Sequence, residues 1–82
     1  MSNRALVLDA NILIRAVLGT RVRTLIEVHA AQVSFFAPDV AYADAYHYLP
    51  ALLEKRGVAV SPALQVLQAL EGIVQPMDAE LY

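Results

Sequence analysis

The residues of this sequence best suited to chemistry are two aspartates, Asp9 and Asp44. Asp9 ends a short apolar run, and Asn11 follows it by two positions. Asp44 lies in an alanine- and tyrosine-rich stretch. Carboxylate oxygens are ligands that suit Mg²⁺ and Mn²⁺. We therefore expect Asp9 and Asp44 to bind one such ion, with Asn11 adjacent, which requires their carboxyl groups to lie within about 10 Å of each other.

Each of these residues also has a plainer structural interpretation. Asp9 can be a turn or helix-cap residue, and Asn11 can begin a helix by bonding the local backbone. Asp44 can be a buried acid paired to a cation such as Arg15, or can lie at a wet edge, because an unpaired carboxylate facing a core is costly. For the other polar candidates the structural interpretation is favoured. The tyrosines are expected to pack rather than to stack on bases, and the arginines are expected to be solvated rather than to bind phosphate. The aspartates are expected to cap helices, and the histidines, which are not spaced as a metal motif, are expected to be structural. These candidates are Tyr42, Tyr46, Tyr48, Arg15, Arg21, Arg23, Asp39, Asp78, His29 and His47.

The elements that must position these residues alternate between strands and helices. The predicted strands cover residues 5–8, 33–36 and 73–77. Two helices separate the first strand from the second, two more separate the second from the third, and the first turn of a further helix is predicted at residues 78–82. The order β-α-α-β-α-α-β-(α) predicts an α/β fold with a parallel sheet.

Local signals set the ends of these helices and the faces they bury. Three caps and three glycines are predicted to begin and end the helices. The caps are Thr20, Asp39 and Ser61, and the glycines are Gly19, Gly57 and Gly72. The third helix, over residues 40–56, contains Pro50 and should bend there. Asp44 shares a helical stripe with Ala41, Tyr48, Ala51 and Leu52 that is predicted to face the core. The unbroken apolar run of the first strand predicts burial on both faces.

Composition restricts the class of protein. The chain has 82 residues, enough for one small domain, and 59% of them are hydrophobic, more than the ~45–50% usual for soluble proteins. Either alanine-rich helices account for this, or part of the apolar surface is covered by something outside these residues. The net charge of −2 gives no basic footprint for nucleic acid, and the absence of cysteine excludes disulfides and thiolate sites. With no apolar run of membrane-spanning length and no signal-peptide pattern, we expect a soluble, cytoplasmic protein.

Two segments of the sequence resemble one known family. Residues 8–14, Leu-Asp-Ala-Asn-Ile-Leu-Ile, are similar to the opening of PIN-domain ribonucleases, which include VapC-type toxins of toxin–antitoxin pairs. Residues 36–44, Phe-Ala-Pro-Asp-Val-Ala-Tyr-Ala-Asp, resemble their second motif. The resemblance matches Asp9 to the first acid of the family and Asn11 to a nearby polar position. It matches Asp44 to the second acid, where the family usually has glutamate.

The resemblance implies a three-layer α/β/α fold with a parallel sheet in the order 3-2-1-4-5. This chain, residues 1–82, supplies strands 1–3 and their helices as the N-terminal part of a single domain. The implied activity is hydrolysis of RNA phosphodiesters with Mg²⁺ or Mn²⁺, and an antitoxin protein is an implied partner. One alternative is a non-catalytic PIN-derived interaction or dimerisation module. Phosphoryl transfer at a strand-end aspartate is less favoured, because residues 9–11 lack a second acid.

The resemblance also implies that the chain is incomplete as an enzyme. The later acids of the family lie in a C-terminal part that has no counterpart here, so the 82 residues alone are expected to be inactive. Without strands four and five, the first strand becomes a bare sheet edge that invites pairing with another chain. We therefore expect a homodimer, or association with the missing C-terminal part, rather than a free monomer.

Overall fold

The computed structural model describes residues 4–78 and shows strands and helices in the predicted order. The strands are β1 (Arg4–Val7), β2 (Val33–Pro38) and β3 (Val74–Met77). The helices are α1 (Ala10–Leu18), α2 (Thr20–His29), α3 (Asp39–Lys55) and α4 (Val60–Leu70). The helix predicted from residue 78 onward lies outside the described residues. Within residues 4–78, no helix combines the length and the apolar character needed to cross a lipid bilayer.

The strands form one parallel sheet in the order β1-β2-β3, which confirms the predicted α/β class. In this register Leu6 pairs with Phe35, and Phe35 pairs with Val74. The observed order is the 3-2-1 part of the expected five-strand sheet. Within the described residues, β1 is therefore an edge strand with β2 on one side.

All four helices cover one face of this sheet. The helices α1 and α2 connect β1 to β2, and α3 and α4 connect β2 to β3, so both connections cross the sheet in the same direction. Right-handed connections in the same direction place their helices on the same side of the sheet. The burial of the strand residues supports this arrangement. Phe35, Ala37 and Val74 are buried on the helical face, whereas Ser34 and Gln75 on the opposite face are exposed. Of the three expected layers, the described residues therefore supply the sheet and one helical layer.

The hydrophobic core lies between the sheet and this helical layer, with α1 near its centre. Leu13 and Ala16 of α1 are fully buried, and α1 contacts each of the other three helices. The α3 helix packs against α1, and its buried residues include the small side chains Ala41 and Ala45. This packing fixes α1 and α3 relative to each other at the end of β1.

The edge strand β1 is more exposed than its sequence predicts. All four of its residues are exposed, and Leu6 retains 49% of its accessible surface. The prediction that this run is buried on both faces is wrong for the described structure. The physical reason is the edge position of β1, since no further strand flanks it and its second face has no helical cover.

Within residues 4–78, the outer edge of β1 has backbone groups that no neighbouring strand pairs. The Leu8 amide donates to the Phe36 carbonyl oxygen at 2.7 Å, which directs the backbone groups of Leu8 toward β2. Backbone groups alternate in direction along a strand, so those of Leu6 also point to β2 and those of Ala5 and Val7 point outward. The predicted bare edge is therefore present in the structure, with Ala5 and Val7 as its open positions.

Three of the predicted helix caps are wrong by one or two residues. The N-cap positions are Gly19 for α2, Pro38 for α3 and Ala59 for α4, and none of their side chains accepts a cap hydrogen bond. Thr20 and Asp39 are the first residues of their helices, and Ser61 is the second of α4. The shift in α4 is tolerated because Pro62 still lies in the first turn, where backbone N–H groups have no partner within the helix.

The predicted ends of the helices agree better with the structure. Gly19 is the C-cap of α1, and its amide donates to the Arg15 carbonyl oxygen at 3.0 Å. Gly57 follows α3 with a φ of +69°, a left-handed conformation that glycine adopts without a steric penalty. Pro50 lies inside α3, as predicted.

Candidate functional site

A groove of about 620 Å³ opens at the carboxyl edge of the sheet. Ligands of open α/β sheets bind in crevices outside the carboxyl ends of the strands. The walls come from the end of β1, the start of α1, the end of β2 and the first half of α3. The lining residues are Val7, Leu8, Asp9, Ala10, Asn11, Ile12, Ile14, Pro38, Val40, Ala41, Asp44 and Tyr48. The structure therefore brings Asp9, Asn11 and Asp44 to one groove.

Asp9 lies at the junction of β1 and α1 and caps the helix. Its Oδ1 accepts the Ile12 amide N–H at 3.0 Å, and its backbone is extended, with φ −93° and ψ 177°. The helix-cap interpretation of Asp9 is thus confirmed. A carboxylate has about four lone-pair sites, so one cap bond leaves Oδ2 with acceptor capacity for a ligand in the groove.

Asp44 lines the groove from the side of α3 but does not face the core. It is exposed, whereas the buried positions of the same helix include Ala41, Ala45 and Leu49. The prediction of a core-facing Asp44 is therefore wrong. Helical periodicity relates residues on one stripe to each other, but it does not fix how the helix is rotated against its neighbours, and here the packing turns the Ala45 side inward.

The alternative in which Asp44 is a buried acid paired with Arg15 also fails. Asp44 is exposed, and no ion pair joins it to Arg15 in the described part of the chain. Asn11 is exposed as well, in the first turn of α1, where its amide borders the groove. The three predicted site residues are thus open to solvent at one surface.

The charge of the groove is negative. Among residues 4–78, Asp9 and Asp44 are its charged lining residues, and no arginine or lysine lines it. Asp39 and Asp78 follow β2 and β3 at the same edge of the sheet but lie outside the groove lining. A phosphate approaching this surface meets repulsion unless a cation intervenes.

The donor groups of the groove suit a hard divalent cation. Carboxylate and amide oxygens are such donors, and Mg²⁺ is commonly bound through one or two carboxylates while it keeps several waters. Among residues 4–78, however, no group of three or more His, Cys, Asp or Glu side chains is close enough together to hold a metal ion. The groove therefore fits Mg²⁺ or Mn²⁺ by the type of its donors and supplies few of them.

Two tyrosines fix the helix that carries Asp44. The Tyr42 hydroxyl donates to the backbone carbonyl oxygen of Val74 in β3, and the Tyr46 hydroxyl donates to Glu71 Oε2 at 2.9 Å. Burial, with a smaller contribution from the nearby Glu71 carboxylate, raises the pKa of Tyr42 well above its ordinary value. Burial and the hydrogen bond to Glu71 raise the pKa of Tyr46 to about 12. Both bonds tie α3 to the end of α4 and to β3.

Tyr48 is the groove residue that the sequence interpretation missed. The packing role predicted for tyrosines holds for Tyr42, which is buried, but Tyr48 is 56% exposed and lines the groove. The sequence feature that indicates its position in the groove is its spacing of four residues from Asp44, which places both side chains on one stripe of the helix. The His47 and Tyr48 rings form a T-shaped contact, with 4.8 Å between the centroids and an interplanar angle of 81°.

The other polar candidates lie away from the groove lining. His29 Nδ1 is 3.0 Å from the Leu25 carbonyl oxygen within α2, which agrees with a structural role. Arg15, Arg21 and Arg23 do not line the groove either.

The chain is similar to one protein family by sequence. The family model described as "PIN domain" matches residues 7–82, which includes every element from α1 to β3 and all three predicted site residues. No curated protein and no solved structure matches the chain.

Proposed function

The chain belongs to the PIN-domain family, and on that premise we propose that it carries part of the active site of a metal-dependent ribonuclease. The family indicates nuclease-type activity on RNA in general terms. The finer proposal is that Asp9 and Asp44 bind Mg²⁺ or Mn²⁺ and that Asn11 assists them. The observation that carries it is the presence of Asp9, Asn11 and Asp44 in one groove at the carboxyl edge of a parallel sheet.

In this proposal the side chains of the chain hold and orient the reacting groups. The cap bond to Ile12 restrains the Asp9 carboxylate and leaves one oxygen for a ligand. Asp44 approaches from the opposite wall on α3, which Tyr42 ties to β3. The Asn11 amide can donate to a phosphate oxygen and accept from water. The chemistry that a divalent cation supplies when bound in such a site is polarisation of a phosphoryl oxygen and activation of water for hydrolysis.

The aspartate at position 44 is one methylene shorter than the glutamate usual in the family. A shorter side chain on the same helix reaches less far into the groove, so a bridging water or a shift of α3 has to make up the difference. We expect Asp44→Glu to retain or increase metal affinity. Asp44→Asn, which keeps the shape and removes the ligand charge, should weaken metal binding.

Cleavage of a single-stranded RNA with Mg²⁺ or Mn²⁺ tests the activity. In the full-length domain, Asp9→Asn should abolish cleavage and Asp44→Asn should slow it, while the 82 residues alone should show no cleavage above a metal-only control. Parent-like cleavage by the Asp9→Asn variant would remove Asp9 from the mechanism. Labelling of the chain by a small phosphoryl donor would instead favour phosphoryl transfer at Asp9.

The finer family assignment rests on the two motif resemblances. On the similarity of residues 8–14 and 36–44 to VapC-type toxins, we propose a toxin-type ribonuclease that acts in the cytoplasm and is controlled by an antitoxin protein. Recovery of a co-expressed partner that blocks RNA cleavage in the full-length domain would support this assignment. A full-length domain whose expression leaves cellular RNA intact would argue against it.

A second candidate function is a non-catalytic module that associates through β1. Two observations favour it: no third acid or histidine joins Asp9 and Asp44 within the described residues, and β1 is an open edge. Divalent-metal titration separates the candidates, since the module requires no metal affinity at Asp9 or Asp44. The two proposals are compatible if association also completes the site.

Homodimerisation through β1 has a specific geometry. The outward-facing groups belong to Ala5 and Val7, so a second copy can run antiparallel with its Val7 opposite Ala5 and its Leu6 opposite Leu6. Each Ala5–Val7 pair would then exchange two backbone hydrogen bonds, as hydrogen-bonded pairs of antiparallel sheets do. This arrangement converts two exposed edges into one six-stranded sheet and buries the exposed Leu6 side chains against each other. Sedimentation at low micromolar concentration tests it.

A further inference from the structure

Tyr48 is an exposed aromatic ring on the wall of a groove that also carries two carboxylates. It retains 56% of its accessible surface, whereas Tyr42 on the same helix is buried and Tyr46 is hydrogen-bonded to Glu71. It contacts the neighbouring His47 ring and lies on the groove wall. The exposed Tyr48 ring is therefore accessible to a ligand that occupies the groove.

The position of Tyr48 relates it directly to the proposed metal-binding residues. Val40, Asp44 and Tyr48 are spaced by four residues, so they form one row along α3, and all three line the groove. Successive members of such a row are about 6 Å apart along the helix. Val40 at the other end of the row is 56% exposed. A ligand with a phosphate near Asp44 would therefore place its next chemical group against Val40 or Tyr48.

We propose that the groove binds an unpaired nucleotide of single-stranded RNA, with the base stacked on the Tyr48 ring. This inference rests on the proposed ribonuclease function, because it uses the same groove and the same substrate. Every nucleobase offers a π-face, and stacking on an aromatic side chain changes affinity by roughly 5- to 150-fold per base. A base inside a duplex has both faces covered by its neighbours, so this contact selects unpaired segments.

The negative charge of the groove should make RNA binding depend on a divalent cation. The described part of the chain contributes two carboxylates and no lysine or arginine to the lining, so the groove attracts phosphate only when a cation is present. Stacking on Tyr48 should therefore be seen with Mn²⁺ and should be weak without it. The Tyr48 ring supplies the stacking contribution to RNA affinity, so removing the Tyr48 hydroxyl should change that affinity little.

The test is binding of a fluorescently labelled single-stranded RNA oligonucleotide in the presence of Mn²⁺. We expect Tyr48→Ala to weaken binding about 10- to 100-fold, and Tyr48→Phe to bind within about twofold of the parent, because it keeps the ring. Val28→Ala is the control, since Val28 is 67% exposed on α2 and does not line the groove. Parent-like affinity in Tyr48→Ala, or no RNA binding by the parent, overturns the stacking inference.

A tryptophan variant supplies a readout that does not depend on loss of binding. The chain contains no tryptophan, so Tyr48→Trp introduces a single indole at the groove. Its fluorescence should be quenched by single-stranded RNA and much less by a duplex of the same sequence. Equal quenching by both forms, or none by either, contradicts stacking of an unpaired base.

Failure of this inference and failure of the proposed function can be told apart. If Asp9→Asn abolishes Mn²⁺ binding but Tyr48→Ala binds RNA like the parent, the metal site stands and the stacking contact is wrong. If Tyr48 variants change RNA binding but Asp9→Asn leaves Mn²⁺ binding unchanged, the groove binds RNA without the proposed metal site.

Discussion

Asp9 has two roles in this account, and substitutions can separate them. One role is structural: its Oδ1 accepts the Ile12 amide at the start of α1, a nine-residue helix whose Leu13 and Ala16 are fully buried. The other is the proposed ligand role of its second oxygen. Asp9→Asn and Asp9→Ser keep a cap acceptor and remove the charge, whereas Asp9→Ala removes both.

The expected size of the structural effect follows from the cap bond. Replacing a cap residue by alanine costs about 1 kcal/mol, within a range of roughly 0.5–2. In a domain of this size, a loss of about 1 kcal/mol lowers Tm by roughly 4–8 °C. Asp9→Asn keeps the cap and loses only the favourable charge at the helix N-terminus, worth about 0.3–1 kcal/mol. We therefore expect Asp9→Ala to be the least stable of the three variants.

Thermal unfolding followed by circular dichroism, with and without Mn²⁺, measures both roles. Without metal, Asp9→Asn and Asp9→Ser should melt close to the parent and above Asp9→Ala. At a Mn²⁺ concentration ten times Kd, ligand binding should stabilise the parent by about 1.4 kcal/mol and leave the Asp9 variants unchanged. If Asp9→Ala melts like the parent, the cap bond does not stabilise α1. If Asp9→Asn is stabilised by Mn²⁺ as much as the parent, Asp9 is not a ligand.

Three further predictions concern stability and association. Tyr42→Phe removes the buried hydrogen bond to the Val74 carbonyl oxygen and should cost about 1–3 kcal/mol in urea unfolding; an unchanged midpoint would contradict a stabilising role for that bond. Because the folded pKa of Tyr46 is raised to about 12, its contribution to stability is full below the ordinary value of 10.0 and is lost as pH rises from there toward 12. Unfolding between these pH values should therefore show a shallower decline for Tyr46→Phe than for the parent, and identical slopes would count against the assignment. Leu6→Lys puts a charge at the β1 edge and should shift sedimentation to the monomer, whereas Val28→Lys should behave like the parent; a parent that is already a cooperative monomer would show that the three-stranded sheet is self-sufficient.

The order of elements could be predicted because the signals that set it are local. An apolar run followed by a change to helical spacing located β1 and α1, and Gly57 located the end of α3 through the left-handed conformation that it adopts. Strand and helix boundaries agree with the structure to within about two residues. The match to the PIN-domain family, over residues 7–82, covers the elements from α1 to β3.

What could not be predicted depends on packing between elements. The exposure of Asp44 depends on which face of α3 packs against its neighbours, and that face carries Ala41, Ala45 and Leu49. No pattern within a single helix specifies this rotation. The helices α2, α3 and α4 begin one or two residues earlier than predicted, because Gly19, Pro38 and Ala59 are the residues whose non-helical backbone precedes each helix. The role of Tyr48 was missed because its exposure depends on the same rotation.

The proposed site requires Asp9 and Asp44 to bind one divalent cation together. Mn²⁺ titration followed by electron paramagnetic resonance counts bound ions directly and does not require catalysis. We expect one bound Mn²⁺ per chain, competed by Mg²⁺, with weak or no binding in Asp9→Asn and in Asp44→Asn and parent-like binding in Asp39→Asn. Asp39 is the matched control because it follows β2 at the same sheet edge but does not line the groove. Equal Mn²⁺ binding by the parent and by both Asp9→Asn and Asp44→Asn would contradict the claim.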